Sequence, residues 1–513
     1  MEFERKNAGW GLGAAAAAAT AVLVYFGNGL DPVWPLMWVA PLPVLVFALR
    51  SSVGRAATVA FVAMLAGGLN FWHYFRVLQA PPVAWGLNFG LMALVFAAAV
   101  LLMRALVRRG ALWSAWLALP AVWVTFEFAR NRWLWPHGSA ACLGYSQLRF
   151  LPFLQLASLT GPWGMSFVLL LFAAGVALGS SFWNAERGPA IRVLGATAAV
   201  VAAVLVFGAV RLEGRQPGPM VKVGLVTSDA GRNWIPADPG TPVEQLFREY
   251  AQQAQELFAR GAQVVVIPEN TAVVTTGDVA QVDAIFQPMV DRAGAMLIAG
   301  VNDSTGSVAY NEARVYAAGV PVRTYHKHHL LPPFETSVFR PGQGRLVFRG
   351  VGAAASDRWG TAICKDMDFT EPARSYGRAG VGLMLVPGWD FTVDAFWHGH
   401  IAVMRAVEDG FSLARTAKHS TMYVADDRGR VIAETASGAA LFATLLAEVP
   451  AGHEGTLFQA WGDWFGWLAM ALCAGALVRL WRTGHGAQGS GHRVRGREAG
   501  IRTPVASAEV IGR

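Results

Sequence analysis

Three residues in the second half of the sequence have side chains that could form a cysteine-based catalytic site. Cys364 ends the run GTAIC, Glu269 follows the apolar run VVVIP, and Lys327 stands within YHKHHLLPPFE. A cysteine attacks a carbonyl carbon as its thiolate. A carboxylate can accept the thiol proton, and a lysine can lower the thiol pKa and stabilise an oxyanion. Taken singly, each of these residues is better explained by packing or solvation, but together they fit a base, an electrophilic helper and a nucleophile.

The composition indicates a membrane protein. Of the 513 residues, 54% are hydrophobic and 15% are charged, with a mean hydropathy of +0.37, whereas soluble domains average about 25% charged residues. The net charge of +8 lies mainly in short loops and the C-terminal tail, which membrane topology explains better than nucleic-acid binding. Three cysteines, with no Cys-x-x-Cys or paired-histidine spacing, argue against a disulfide framework and a metal site.

Eight apolar stretches have about the length that a helix needs to cross a bilayer. The predicted spans are 10–27, 34–49, 56–75, 83–103, 112–129, 161–183, 190–210 and 461–478. The Ala-rich first stretch lacks a clear cleavage site and is followed by further spans, so we interpret it as an uncleaved helix. Seven spans therefore precede a less apolar block, and one follows it.

The arginines predict the orientation of these spans. With the N-terminus inside, most loop and tail arginines fall on the inner side, and the loop with Arg130, Arg132 and Arg149 is the exception. Seven crossings then place the less apolar block on the outer face. The predicted domains are spans one to seven (1–212), an extracytoplasmic domain (217–455), the last span (459–481) and a basic, disordered cytoplasmic tail (482–513).

The block before the last span has the pattern of an α/β domain. Glu269, Lys327 and Cys364 each come at the end of a predicted strand, which is where open α/β sheets usually place catalytic groups. The predicted elements are strands at 221–226, 263–270, 296–301, 358–366, 382–391, 411–417 and 420–425, a hairpin at 308–327, and helices at 241–260 and 394–409.

These residues and their order resemble the carbon–nitrogen hydrolase (nitrilase) superfamily, which has a Glu–Lys–Cys triad on a four-layer αββα sandwich. Seven spans, this domain and one more span resemble the apolipoprotein N-acyltransferase family. The resemblance covers nearly the whole chain except the tail, and its motifs include LGYSQ (143–147), GPWGMSF (161–167), KHHLLPPFE (327–335) and MRAVEDG (404–410). It implies an α/β αββα-sandwich domain inserted in an all-α eight-helix transmembrane bundle.

The resemblance also implies an activity. Cys364 would form a thioester with an acyl chain from a phospholipid and pass it to the amine of a diacylglyceryl-cysteine at the N-terminus of an apolipoprotein. Glu269 would be the general base, Lys327 would stabilise charge, and Glu335 would be an additional carboxylate near the lysine. No cofactor is implied. The expected protein is a monomer in the lipid bilayer of the bacterial inner membrane, with its catalytic domain in the periplasm.

Two runs depart from the family pattern. After Cys364 the family usually has an aromatic residue and a glutamate, whereas this chain has Lys365 and Asp366. Lys365 could lower the thiol pKa further, or it could point to solvent while its backbone N–H serves an oxyanion hole. In the second run Pro387-Gly388 replaces a polar Asn-Asp type of sequence. We expect this to change the turn, because glycine permits positive φ.

Lys365 and three aromatic residues are candidates for substrate binding. Trp234 could be a lid that contacts lipid, or an anchor at headgroup depth. Phe334 could wall an acyl groove, or pack within the core. Trp389 could line the acyl pocket, or hold its loop against the domain. The histidines beside Lys327 lack a carboxylate pattern that would complete a metal site, so none is predicted.

Other functions remain open on the sequence. A membrane-anchored amidase or nitrilase-type hydrolase of unknown substrate would release an amine or ammonia to water, and the altered run after Cys364 is its main support. However, an amidase acting on small soluble amides has no physical need for eight spans. A binding or scaffold protein with a degenerate site is disfavoured by the intact triad. A transporter is a weaker alternative, because few ionisable residues interrupt the spans.

Overall fold

The structure is a computed structural model that describes residues 8–133, 138–139, 142–214, 218–230 and 242–494, with the side chains of the last helix as far as Thr483. Trp234 lies outside these ranges, so its role in substrate binding stays a prediction. Within them a helical bundle leads into a two-sheet domain, and one long helix follows.

Ten α-helices precede the first strand in the described ranges. They are α1 (Trp10–Gly27), α2 (Trp34–Val39), α3 (Leu42–Leu49), α4 (Val53–Gly68), α5 (Trp72–Val77), α6 (Pro82–Arg108), α7 (Leu112–Trp133), α8 (Leu151–Leu154), α9 (Ala157–Phe182) and α10 (Arg187–Glu213).

Seven helical segments among the described residues are long and apolar enough to cross a membrane. The other predicted span, 34–49, corresponds to α2 and α3, a shorter apolar stretch in which Pro41 precedes α3. A proline offers no backbone N–H to the preceding turn, so it favours a break between the two helices. The predicted count of eight spans is therefore approximate. The seven segments are Trp10–Gly27, Val53–Val77, Pro82–Arg108, Leu112–Trp133, Ala157–Phe182, Arg187–Glu213 and Trp464–Thr483.

The described part of the chain after the bundle contains thirteen strands. They are β1 (Met220–Thr227), β2 (Val264–Ile267), β3 (Val273–Thr275), β4 (Met296–Ser304), β5 (Tyr310–Ala317), β6 (Val320–His326), β7 (Leu346–Arg349), β8 (Arg358–Thr361), β9 (Val381–Trp389), β10 (Ser412–Lys418), β11 (Thr421–Ala425), β12 (Val431–Ala436) and β13 (Ala443–Pro450).

These strands form two mixed sheets. The first has the order β13-β1-β2-β4-β5-β6, with β3 paired to β4, and the second has the order β12-β11-β10-β9-β8-β7. Parallel pairing joins β1 to β2 and β2 to β4 in the first sheet, and β8 to β9 and β9 to β10 in the second. The carboxyl ends of β2, β8 and β9 therefore carry the loops that hold Glu269, Cys364 and the run after Trp389.

Six more α-helices complete the described chain: α11 (Val243–Ala259), α12 (Val279–Ala293), α13 (Thr370–Arg378), α14 (Ala395–Asp409), α15 (Leu457–Trp461) and α16 (Trp464–Val494). Helices α11 and α12 pack on the first sheet, and α13 and α14 pack on the second. Buried apolar side chains of both sheets, such as Leu225 and Leu385, fill one core between them. This is the predicted αββα sandwich.

Helix α14 contacts both the sandwich and the bundle. Ala402 packs in the core of the sandwich, whereas its neighbour Ile401 packs among side chains of the membrane helices. The buried guanidinium of Arg405 pairs with Glu408 at 2.8 Å and donates a hydrogen bond to the hydroxyl of Tyr145, in the loop before α8. Because this helix packs on both parts, it fixes the sandwich against one end of the bundle.

The GPWGMSF motif lies where the chain after the sandwich meets the bundle. Gly161 has a φ of +62°, and a Cβ atom at this position would lie 2.4 Å from the ring of Phe458 in α15. Glycine is therefore needed for the backbone conformation and for the close approach. The indole of Trp163 donates to Asp463 at 2.9 Å, just before α16 begins. The motif thus contacts the residues just before the last helix and fixes where this helix begins.

Candidate active site

Four buried polar side chains come together beside the ends of the sheets. Glu269 stands two residues after β2, Lys327 directly follows β6, and Glu335 lies in the segment after that lysine. Asn311, near the start of β5, completes the group. Buried polar groups must find partners within the protein. We call Glu269, Asn311, Lys327 and Glu335 the first charged cluster.

Glu269 has one occupied and one free carboxylate oxygen. Its Oε1 accepts hydrogen bonds from Lys327 Nζ at 2.6 Å and from Asn311 Nδ2 at 2.7 Å. Its Oε2 is buried and has no hydrogen-bond partner among the described residues. Burial raises the pKa of Glu269; the charge of Lys327 opposes this rise, and that of Glu335 adds to it. A free oxygen on a carboxylate with a raised pKa suits a proton acceptor.

Lys327 is held as a cation between two carboxylates. Its Nζ lies 2.6 Å from Glu269 and 2.9 Å from Glu335. Glu335 is fixed in turn by Asn311 Nδ2 at 2.6 Å and by the backbone N–H of Leu331 at 2.7 Å. Burial alone would lower the pKa of Lys327, but the two carboxylates raise it well above its usual range. The lysine therefore stays charged and can stabilise an anion that forms beside it.

Cys364 begins the turn after β8 with a strained backbone. Its φ is +42°, a conformation that residues other than glycine rarely adopt. The Sγ atom donates to the backbone carbonyl of Trp389 at 3.1 Å. Burial and the charge of Glu269 raise the pKa of the thiol well above its usual range, and Lys327 opposes this. The cysteine is therefore a thiol at rest, so a base must remove its proton before it can attack.

Two parts of the chain match known families. Residues 14–175 match the apolipoprotein N-acyltransferase N-terminal domain, and residues 240–457 match the carbon–nitrogen hydrolase domain. An apolipoprotein N-acyltransferase of Geobacter metallireducens is 28% identical over 503 residues, which cover 90% of this chain and 93% of the relative. One from Gloeobacter violaceus is 27% identical over 487 residues, covering 86% and 89%. The chain belongs to the apolipoprotein N-acyltransferase family.

Membership of this family confirms the prediction of an acyltransferase built on a carbon–nitrogen hydrolase domain. Among solved structures, an amidase of the nitrilase superfamily from Nesterenkonia is 22% identical, with a TM-score of 0.38, over 46% of this chain and 94% of that one. Glu269, Lys327, Glu335 and Cys364 lie in one buried region, as the sequence predicted. Their catalytic roles stay predictions.

The two residues that follow Cys364 each form polar contacts within the protein. Lys365 does not point to solvent: its side chain is 12% exposed, and its Nζ pairs with Asp368 at 3.0 Å. Asp366 accepts hydrogen bonds from the backbone N–H groups of His328 and His329 at 3.1 and 2.9 Å. Burial alone would raise the pKa of Asp366, but the contacts with His329 hold it below its usual value. Asp366 thus connects the turn that begins at Cys364 to the segment that follows Lys327.

A second buried set of polar residues also lies close to Cys364. Arg415 Nη1 and Nη2 donate to the two oxygens of Asp390 at 2.9 and 2.6 Å. His398 Nδ1 lies 3.2 Å from Asp390 Oδ1, and Ser420 donates to Oδ2. Arg415 Nη2 and Asp390 Oδ1 lie 4.0 and 3.9 Å from Cys364 Sγ. We call Asp390, His398, Arg415 and Ser420 the second charged cluster.

The expected change of turn at Pro387-Gly388 is wrong. Strand β9 continues through both residues to Trp389, in parallel register with Thr416 and Ala417 of β10, and Gly388 does not have a positive φ. A Cβ atom on Gly388 would instead lie 3.0 Å from Arg415 Nη2. The glycine therefore makes room for the guanidinium of the second charged cluster.

One carboxylate–histidine group of this region has the spacing of a metal site. Asp390, Asp394 and His398 have ligand atoms within 4.8 Å of one another. However, Asp390 already accepts four hydrogen bonds or ion-pair contacts, two of them from Arg415. A cation would have to displace the guanidinium. The donor set therefore fits an ion-pair network better than a metal.

An apolar cavity of about 480 Å³ opens between α5, α6 and the catalytic domain. Its lining includes Lys365, Pro332 and Pro333 on the side of the domain, and Arg130 on the side of the bundle. Arg130 is buried, and its Nε and Nη2 atoms have no hydrogen-bond partner within the described ranges. We call this space the apolar cavity. The predicted binding residues Phe334 and Trp389 line a different, neighbouring cavity.

Sequence reasoning did not single out Asn311, Arg415 or His398. Asn311 and Arg415 are polar residues within otherwise buried strands, β5 and β10. A polar side chain inside a buried strand needs a buried partner, so this pattern was the available signal. His398 stands one turn after Asp394 on α14, and only the fold brings it to Asp390.

Proposed function

We propose that this chain transfers an acyl chain from a phospholipid, through a thioester on Cys364, to the N-terminal amine of a diacylglyceryl-cysteine apolipoprotein. The observation that carries this proposal is the position of Cys364. The thiol lies in one buried region with Glu269 and Lys327, and the next residue, Lys365, lines a cavity that opens between membrane helices. The relatives described above, which are named for this activity, match this chain over nearly their whole length.

In the first half of the reaction, the free Oε2 of Glu269 takes the thiol proton. The thiolate attacks the ester carbonyl carbon of the phospholipid, and the oxyanion of the tetrahedral intermediate is stabilised by Lys327. The ester C–O bond then breaks, and the departing alkoxide takes the proton from Glu269. A lysophospholipid leaves, and the acyl chain stays on Cys364 as a thioester. Glu335 and Asn311 hold Lys327 and Glu269 in place throughout.

In the second half, the acceptor amine attacks the thioester carbonyl. Glu269 accepts a proton from the attacking nitrogen, and the oxyanion again forms beside Lys327. The C–S bond breaks, so the thiolate of Cys364 leaves and is reprotonated from Glu269. The products are an amide on the acceptor and the original enzyme. Both halves use the same base and the same cation, which is why one buried cluster serves two substrates.

The apolar cavity supports a phospholipid as the acyl donor. Its wall of Phe71, Leu78 and Met92 suits an acyl chain, because burial of such surface is favourable. Arg130 lines the same cavity, and its guanidinium, which lacks partners for Nε and Nη2 among the described residues, favours an anionic ligand such as a phosphodiester. Lys365 pairs with Asp368, but its side chain also lines this cavity, so we assign Lys365 to contact with the donor.

Tryptophans support the membrane placement. Trp133 and Trp461 are exposed near the catalytic domain, and Trp113 and Trp481 are exposed at the other end of the bundle. On α16, Trp464 and Trp481 are separated by about 26 Å at 1.5 Å per residue, close to the thickness of about 30 Å of a hydrocarbon core. Such belts mark the two interfaces of a bilayer. With the arginine bias, this supports an inner-membrane protein with its catalytic domain in the periplasm, which we propose acts as a monomer.

The test is detection of the acyl-enzyme. Purified protein incubated with phospholipid should gain the mass of one acyl chain on Cys364, and addition of a diacylglyceryl-cysteine peptide should remove it and yield an N-acylated peptide. Cys364→Ala should abolish both steps. Cys142→Ala, which alters another buried thiol, should leave them intact. Acyl transfer by Cys364→Ala, or release of a free fatty acid in place of the acylated peptide, would refute the proposal.

A further inference from the structure

Two adjoining cavities form a groove, which borders the apolar cavity at Gln79. The nearer, of about 380 Å³, is lined by Trp389 and Asp390. The farther, of about 940 Å³, is lined by Phe396 and by every residue of β12. Thr392 and Val393 line both, so the two spaces are continuous. We call them together the outer groove.

The near end of the outer groove lies beside the nucleophile. The carbonyl oxygen of Trp389 is 3.1 Å from Cys364 Sγ, and Asp390 Oδ1 is 3.9 Å from it. A single layer of protein, formed by Trp389 and Asp390, therefore lies between the groove and the thiol. A molecule that presents one end to an acylated Cys364 can extend from there into the groove.

The far end runs along the outer strand of a sheet. Among the described strands, β12 pairs with β11 on one side and ends the order of the second sheet on the other. An outer strand offers backbone N–H and C=O groups that an extended peptide can pair with. The six residues of β12 span roughly 20 Å at about 3.3 Å per residue. This edge can accommodate about six residues of an extended chain.

The far part of the outer groove has more polar walls than the apolar cavity, so the two spaces suit different ligands. His400, Tyr423, Glu434 and Thr435 line its far part, whereas the apolar cavity has mainly aromatic and aliphatic walls. An acyl chain in the groove would displace water from the exposed carboxylate of Glu434, which is costly. An extended polypeptide brings one donor and one acceptor per residue and can satisfy these polar side chains.

The groove also lies at the correct level for a substrate that is anchored in the bilayer. Leu30, Asp31 and Arg149, from outer loops of the bundle, line it opposite the sandwich. Asp31 and Arg149 form an exposed ion pair, and the guanidinium of Arg149 stacks 3.8 Å from the ring centroid of Phe396. A chain that lies here leaves the protein at the junction between the membrane helices and the catalytic domain.

From these observations we propose that the outer groove binds the polypeptide of the acceptor in extended form, with β12 as the pairing edge. This inference rests on the proposed function and adds where the acceptor lies. The acyl donor and the acceptor polypeptide then occupy neighbouring spaces, which meet at Gln79. The first one or two residues after the modified cysteine then lie in the near part of the groove, and about six further residues pair with β12 through their backbone, which accepts many different sequences.

The groove can be narrowed at an exposed position. Thr392 is exposed and lines both parts of the groove, so Thr392→Trp should obstruct the passage without disturbing the core. We expect normal thioester formation and normal transfer to an acceptor with one or two residues. Transfer to an acceptor with about eight residues should fall at least tenfold in kcat/KM. Val320→Trp, at an exposed position on the outer strand of the other sheet, is the matched control.

A photo-crosslinking residue at Ile432, which is 43% exposed on β12, should capture the long acceptor peptide, and one at Val320, 41% exposed on β6, should not. Equal loss of transfer to short and long acceptors would overturn the inference. Capture of a second copy of this chain or of phospholipid at Ile432, in place of the peptide, would also overturn it. Absence of a thioester in the unsubstituted enzyme would refute the proposed function and this inference with it.

Discussion

The two charged clusters near Cys364 have similar residue types but differ in their freedom to accept a proton. In the first, Glu269 Oε2 has no partner among the described residues, although Oε1 is paired with Lys327. In the second, each oxygen of Asp390 has two partners, and Arg415 is one of them on both. The first cluster therefore has a vacant lone pair for a proton, and the second does not.

This difference assigns the two clusters different tasks. Burial would raise the pKa of Asp390, but Arg415 and His398 hold it far below its usual range, so Asp390 is a poor base. Burial raises the pKa of Glu269, which makes it a better one. Proximity to the thiol is thus insufficient for base catalysis. The second cluster acts on Cys364 through its charges and its packing.

The largest effect expected is the loss of the base. Glu269→Gln should slow thioester formation by roughly 10³-fold, because a positioned base contributes about 10²- to 10⁴-fold. Asp390→Asn should slow it far less, since Asp390 is not the proton acceptor. Single-turnover measurement of acyl-enzyme formation compares the two directly. An equal loss in both variants would contradict the distinction between the clusters.

The comparison of the two clusters also predicts how the rate of thioester formation depends on pH. Glu269 must be unprotonated to act, so the rate of thioester formation should rise with pH through its pKa. Because burial raises that pKa, the acid limb should lie above the value of about 4.3 for an ordinary glutamate. A pH profile of single-turnover rates measures it. In Glu269→Gln the residual rate should lose this limb; if the limb persists unchanged, another group is titrating.

The next effect concerns the charges of the second cluster. Arg415→Gln removes a cation 4.0 Å from Sγ and leaves the anion of Asp390 3.9 Å from it. The thiol pKa should therefore rise by about one unit. Arg415→Gln combined with Asp390→Asn removes both charges and should restore the original value.

The pH dependence of alkylation by iodoacetamide reports this pKa, in a background with Cys142→Ala and Cys473→Ala. Both other thiols are then absent, so the signal comes from Cys364 alone. If the double variant shows the same shift as Arg415→Gln, the guanidinium acts on the thiol through packing rather than charge.

The same contrast separates what sequence could predict from what it could not. Glu269 follows the continuously buried strand β2, and Lys327 and Cys364 end a predicted hairpin and a predicted strand, so the positions of these three residues at strand ends could be predicted. Glu335 lies eight residues after Lys327, outside any strand, and was expected only from the family resemblance. Strands β3, β7, β12 and β13 and helices α12 and α13 were not predicted. The side chains of β12 alternate between half-buried and exposed positions, so its apolar signal is weak. Pro387-Gly388 favoured a turn, and only the approach of Arg415 explains why a strand continues there.

A smaller effect is expected at Asp366, which holds the segment after Lys327. Asp366→Asn keeps the shape but replaces a charged acceptor of the N–H groups of His328 and His329, which should cost about 1–3 kcal/mol of stability. Because the pKa of Asp366 is lowered in the fold, its contribution is present above the pKa of the unfolded chain and is lost as pH falls through the folded value. Thermal unfolding in detergent at several pH values measures this. A loss of stability that grows toward low pH would contradict it.

The smallest effect is expected for Lys365, which does not take part in the chemical step. Its ammonium is compensated by Asp368 at 3.0 Å, and its side chain lines the apolar cavity. Lys365→Gln should therefore leave the alkylation pH profile of Cys364 within a few tenths of a unit and raise KM for the phospholipid a few-fold. A thiol pKa raised as far as in Arg415→Gln would place Lys365 with the charges that act on the nucleophile. An unchanged KM for the phospholipid would show that Lys365 does not bind the donor.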